Sequence, residues 1–155
     1  MQTPITSIPV LDLEDVPVNL MSAYKNKVLL VIIYNNDCLG CTGRAIPLAY
    51  EFQQTFPNIQ VIGIHADFVN REGTKDNIKQ VFTSGEVPFP IYIDKQHQVF
   101  DQFHAEGTPQ WLLIAEDGTL FRSIFGSQDN AQNRLHYALE SLAGNTSHEA
   151  TAEDS

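Results

Sequence analysis

Seven consecutive apolar positions, Val28-Leu29-Leu30-Val31-Ile32-Ile33-Tyr34, stand out from a chain that elsewhere mixes polar and apolar residues. A run apolar on both faces predicts a strand covered on both sides by helices. A second run, IQVIGIHA at 59–66, predicts another such strand. Between them Ala45, Leu48, Ala49, Phe52 and Phe56 recur every three or four residues, the stripe of a helix packed on a sheet. Phe56-Pro57-Asn58 ends that helix. Pro47, inside it, predicts a kink or an irregular first turn.

The flanking segments follow the same logic. Residues 1–27 read as extended and turn-rich, with ITSIPVLDL and PVNL as short strands around the acidic turn Glu14–Asp15. Pro9 and Pro17 suit strand starts or edges, because proline cannot donate to a central ladder. Beyond 66, the polar stretch DFVNREGTKD leads to a short helix marked by Ile78, Val81 and Phe82. FPIYID at 89–94 predicts a strand, and Val99, Phe100 and Phe103 a helix of one or two turns. Gly107-Thr108-Pro109 breaks the chain before the strand WLLIA. Glu116-Asp117-Gly118-Thr119 is a hairpin turn returning LFRSIFG as partner strand. Ala131, Leu135, Ala138, Leu139 and Leu142 mark a last helix. Residues 144–155, GNTSHEATAEDS, lack an apolar pattern and read as a disordered acidic tail. One domain over 1–143 is therefore expected, an α/β fold with a mixed central sheet and helices on both faces.

Composition narrows the function classes. Nineteen acids against nine Lys and Arg give a formal charge of -10, which repels nucleic-acid phosphates and anionic membrane surfaces. No apolar run is long enough to span a bilayer. The N-terminus lacks the basic and apolar regions of a signal peptide, so a cytoplasmic location is expected.

The two cysteines, Cys38 and Cys41, are three positions apart, immediately after the first buried strand and before the helical stripe. Residues i and i+3 at a helix start lie within the Cα separation that a disulfide tolerates. Free N–H groups and the positive end of the helix dipole favour a thiolate on the first of them. Cys38 is thus expected to attack a partner disulfide, and Cys41 to resolve the mixed disulfide. Half a zinc site is the competing idea, but the remaining ligands are missing, since His65, His97 and His104 are scattered. No metal or other cofactor is called for.

Strand, CLGC, helix, VIGIHAD, FPIYID and EGTPQWLLIAEDGTLFRSIFG, preceded by IPVLDLEDVPVNLMSAYKNKVLLVIIY, together resemble the thioredoxin superfamily. Within it, the chain is similar to the TlpA/ResA-like and AhpC/TSA-type redoxin branch over roughly residues 5–142. The resemblance implies a thioredoxin-like fold with an N-terminal β extension and an α/β insertion before a cis-proline. It makes Cys38 the nucleophile, Cys41 the resolving cysteine and Pro109 that cis-proline. Thr108 and Pro109, with Leu39 and Gly40, would then contact substrate. Three positions depart from the pattern. Asp37 replaces the tryptophan before the first cysteine, Ile32 the buried acid, and Arg44 the glutamate after the second cysteine. A carboxylate beside Cys38 opposes thiolate formation.

The implied function is thiol–disulfide exchange, as a reductant, with a disulfide-containing protein or a small oxidised thiol. An unidentified thiol would donate the electrons. Two alternatives are weaker. A peroxiredoxin-like peroxidase would carry threonine where Asn35 stands, and a copper carrier would pair CxxxC with a histidine, for which only His104 is near. Trp111 and His104 read as a core residue and an exposed loop residue respectively.

Overall fold

A computed structural model of the chain describes residues 3–68 and 72–148. The strands are β1 (Pro9–Leu11), β2 (Pro17–Asn19), β3 (Val28–Tyr34), β4 (Ile59–Ala66), β5 (Ile91–Asp94), β6 (Gln110–Ile114) and β7 (Leu120–Phe125). They form one sheet in the order β2-β1-β5-β4-β3-β6-β7. β3 and β4 run parallel with Val28 opposite Ile59 and Tyr34 opposite His65, and β5 joins β4 in parallel. β6 returns antiparallel along β3, and β7 along β6. The N-terminal hairpin β1–β2 is attached through Leu11 opposite Ile93. Pro9 and Pro17 each open a strand, and β2 is an edge, where a missing N–H does least harm.

The alternation along β3 separates two cores. Leu30, Ile32 and Tyr34 pack with Ala49 and Phe52 of α2 (Ile46–Thr55), Ile78 of α3 (Lys75–Gln80), and Leu135 and Leu139 of α5 (Asp129–His148). Leu29, Val31 and Ile33 face Ile8, Leu20 of α1 (Leu20–Ala23) and Val99 of α4 (Gln98–Gln102). All seven β3 side chains are buried, which is why the run needed no polar face. Among the described residues, no helix is long and apolar enough to cross a membrane.

One detail takes the form expected, and three differ from the pattern-based expectation. The irregularity at Pro47 is a π-turn over Cys41–Ala45 that runs into α2, and the Ile46 N–H reaches back to the Cys41 carbonyl. Pro47 has no N–H to continue an α ladder, so the turn widens ahead of it. β5 begins at Ile91 rather than Phe89, with the preceding Pro90 carbonyl accepting the Gly63 N–H at 2.9 Å. Val81 lies just beyond α3 and is 40% exposed, so it does not mark that helix's buried face. Finally, α5 continues to His148, into the stretch expected to lack structure. A single glycine costs a helix only about 1 kcal/mol, too little for Gly144 to end it. The rest of that stretch, 149–155, lies outside the described residues.

Candidate active site

The C-terminal end of β3 carries the two cysteines, and the sequence just before them explains the sharp exit. Asn35 Nδ2 donates to the Ala66 carbonyl at 2.9 Å, while its Oδ1 accepts the Asp37 N–H at 2.8 Å. The Cys38 N–H closes the turn on the Asn35 carbonyl at 3.0 Å. An asparagine that bonds the backbone two residues on is a turn former, and here it ends the strand.

Cys38 and Cys41 are joined as a disulfide, their Cα atoms 5.2 Å apart. Cys41 is fully buried under the start of the helix, whereas Cys38 is half-buried. The Cys41 N–H points at Cys38 Sγ, 3.2 Å away, and the Cys38 carbonyl takes the Thr42 N–H at 3.1 Å. Of these spare donors of a helix start, only the Cys41 N–H is aimed at the outer sulfur, and it is shared with the Cys38 carbonyl at 3.0 Å.

Opposite stands the loop before β6. The register Ile33–Gln110 brings its end beside the end of β3, and Thr108–Pro109 is a cis peptide bond. The Thr108 carbonyl oxygen is 3.5 Å from Cys38 Sγ. Pro109 is buried and its carbonyl accepts the Gly126 N–H at 2.9 Å. A third wall comes from the β7–α5 corner. A Cβ on Gly40 would stand 2.9 Å from Ser127 Oγ, so glycine lets the redox turn lie directly on this corner. Leu39, by contrast, is 85% exposed.

Residues 2–123 match the model of the AhpC/TSA family, more than half of the chain. The chain belongs to the AhpC/TSA family. Among curated relatives, it is 26% identical over 122 residues to the thiol-disulfide oxidoreductase ResA of Geobacillus thermodenitrificans, covering 79% of this chain and 67% of ResA. It is 19% identical to the thioredoxin-like protein SkfH of Bacillus subtilis over 63% of this chain and 68% of SkfH. Among solved structures, a thioredoxin-family thiol:disulfide interchange protein from Chlorobium tepidum superposes with a TM-score of 0.68 at 17% identity, over 93% of this chain and 98% of that one. The fold is thioredoxin-like.

On this AhpC/TSA frame the three departures take definite places. Asp37 is exposed at the turn beside Cys38. Ile32 is wholly buried between Gly63 and Trp111 in the sheet, where a carboxylate would have been desolvated. Arg44 is exposed and its Nη1 reaches Gln128 Oε1 at 3.4 Å, on the same corner as Ser127. Trp111 is fully buried, with its indole N–H on the Gly126 carbonyl at 2.9 Å. His104 is exposed, in a left-handed backbone conformation after α4.

Pattern reading of the sequence missed a buried polar group beneath the redox turn. His65, at the end of β4, is 1% exposed, and its Nδ1 lies 2.8 Å from Asp67 Oδ1. The signal was present: HAD interrupts an otherwise apolar strand end, and buried histidine and aspartate need partners. The corner residues Ser127 and Gln128 were missed as well, because nothing local in the sequence links them to a helix 84 positions away.

Proposed function

We propose that Cys38 is the attacking thiol and Cys41 the resolving thiol of a thiol–disulfide oxidoreductase that reduces a protein disulfide or a small oxidised thiol. One observation carries the reading. A half-buried sulfur at a helix start is bonded to a fully buried one a turn further in, with the Thr108 carbonyl 3.5 Å from the outer sulfur. In the reduced protein, the Cys38 thiolate attacks one sulfur of the substrate disulfide. A Cys38–substrate bond forms, the substrate S–S bond breaks, and one substrate thiolate leaves. The Cys41 thiolate then attacks Cys38 Sγ and releases the second substrate thiol. The pair ends two electrons poorer, as the disulfide, and an external thiol donor must restore it.

Leu39, Gly40, Thr108 and Pro109 are the substrate contacts in this reading. The exposed Leu39 offers an apolar foothold beside Cys38. The backbone around the cis bond offers polar groups to an extended substrate chain. The reductive direction belongs with a cytoplasmic location, where accessible dithiols are kept reduced. Acid-quenching cells of the native host and counting alkylated thiols tests this. A pair found mostly oxidised would reverse the direction.

Cys38→Ser should abolish reduction of a protein disulfide, and Cys41→Ser should accumulate a mixed disulfide with substrate. Trapping with the second variant in the native host, followed by mass spectrometry, names the partner. If limiting iodoacetamide alkylated Cys41 of the reduced protein first, the two roles would be reversed. The peroxidase alternative has less support, because the threonine position is held by Asn35, whose side chain is occupied in shaping the turn.

A further inference from the structure

The buried His65–Asp67 pair lies outside the disulfide chemistry, yet it touches the redox turn directly. His65 Nε2 is 3.2 Å from the backbone nitrogen of Asn36, which donates to it. Asn36 is two residues before Cys38, inside the turn that Asn35 shapes. An amide N–H needs a bare acceptor, so Nε2 carries no proton. The proton of the neutral ring is then on Nδ1, donated to Asp67 Oδ1 at 2.8 Å. Asp67 Oδ1 also accepts the Gly73 N–H at 2.9 Å, which fixes the carboxylate. Gly73 lies against the ring so closely that a Cβ there would be 2.7 Å from Nδ1. The other side is closed by Tyr34, edge-on with ring centroids 5.3 Å apart. The ring therefore has one orientation and one tautomer.

We propose that His65 is a positioning residue for Cys38. Its bare Nε2 anchors the Asn36 amide, and Asp67 fixes the tautomer that keeps Nε2 bare. The turn so held places Cys38 Sγ 3.2 Å from the Cys41 N–H, which it shares with the Cys38 carbonyl, and in the reduced protein that contact would favour the thiolate over the thiol. Asn36 is tied from a second side by its Nδ2, which donates to the Asn77 carbonyl of α3 at 3.0 Å. The histidine contact supplies the backbone half of that clamp. The inference rests on Cys38 as the attacking thiol.

Two measurements test it. In the wild-type reduced protein at neutral pH, ring 15N correlation spectra should show His65 Nε2 as the bare, pyridine-type nitrogen and Nδ1 as protonated. A proton found on Nε2 overturns the proposal without any mutation. Second, the pH midpoint of Cys38 alkylation by iodoacetamide is compared among wild type, His65→Leu and His65→Gln. Leucine removes the acceptor and should raise the midpoint by about one pH unit, the size of one lost hydrogen bond to the thiolate. Glutamine carries an acceptor at the reach of Nε2, and should stay within about 0.3 of wild type, because the bond to Asn36 is kept. A leucine variant with the wild-type midpoint, or a glutamine variant shifted as far as leucine, overturns the proposal. Should leucine prevent folding, the spectra and the glutamine variant decide alone. First alkylation at Cys41 instead would overturn the assignment of roles while leaving the ring tautomer as found, so the two failures are distinguishable.

Discussion

Tyr34, opposite His65 in the sheet, and Asp67, just past the end of β4, illustrate what a buried polar atom costs or gains here. The Tyr34 hydroxyl is buried with no hydrogen-bond partner among the described residues, and burial pushes its pKa well above the ordinary phenol value. An orphaned hydroxyl has lost its water and gained nothing in exchange. Tyr34→Phe should therefore raise the unfolding free energy by about 1 kcal/mol, measured by urea denaturation. A loss of similar size would mean that the hydroxyl is satisfied after all. Asp67, in contrast, spends one oxygen on His65 and Gly73 while its Oδ2 has no partner among the described residues. The chain tolerates that orphan because the other oxygen organises the turn beneath the cysteines.

At the scale of elements, α4 depends on one acid. Asp94 closes β5, and its two oxygens accept the N–H groups of Val99 and Phe100 at 2.9 and 3.0 Å, capping the start of the helix. An amide at this position would point a donor at one of those N–H groups. Asp94→Asn should lower stability by about 1–3 kcal/mol. Burial, opposed by those backbone hydrogen bonds, holds the Asp94 carboxyl above the ordinary carboxylate value. In the window between the two values, the native state keeps a proton that the unfolded chain releases. The contribution of Asp94 to stability therefore falls as pH rises through that window. Denaturation of wild type and variant at both ends of the window checks the sign: the wild-type advantage should be larger at the acid end.

These elements also show what could be read in advance. Both central strands, the CxxC turn between strand and helix, the hairpin at Gly118 and the helix of Leu135 and Leu139 were legible, because each is a local pattern of apolar period or turn chemistry. The structure brings Cys38, Cys41 and the Thr108 carbonyl together. The bond between His65 and Asn36, and the close approach of Gly40 to Ser127, were not legible. Such contacts depend on which strand ends meet in space, and a lone histidine or serine carries no period. The limits of α3 and β5 slipped for a simpler reason: Val81 and Phe89 are apolar without belonging to the element beside them.

For the molecule as a whole, the disulfide is a reagent rather than a brace. It closes a loop of only four residues, with a sequence separation of 3. Chain entropy then assigns it about 2 kcal/mol, against a two-sided core that includes every side chain of β3. The reduced protein should stay folded and unfold cooperatively, with Tm lower by about 4–8 °C. Thermal scans with and without excess dithiothreitol measure this. Loss of the cooperative transition on reduction would show that the bond holds the fold together.

The hydrogen bond from Asn36 to Asn77 has a consequence for how such a protein diversifies. The connection from β4 to β5 carries α3 on an otherwise irregular path, and surface loops in general accept insertions that strands do not. Here that same stretch reaches back and holds Asn36, two residues before Cys38. If the proposed positioning holds, a change confined to this loop would reach Cys38 through Asn36, with both cysteines unchanged.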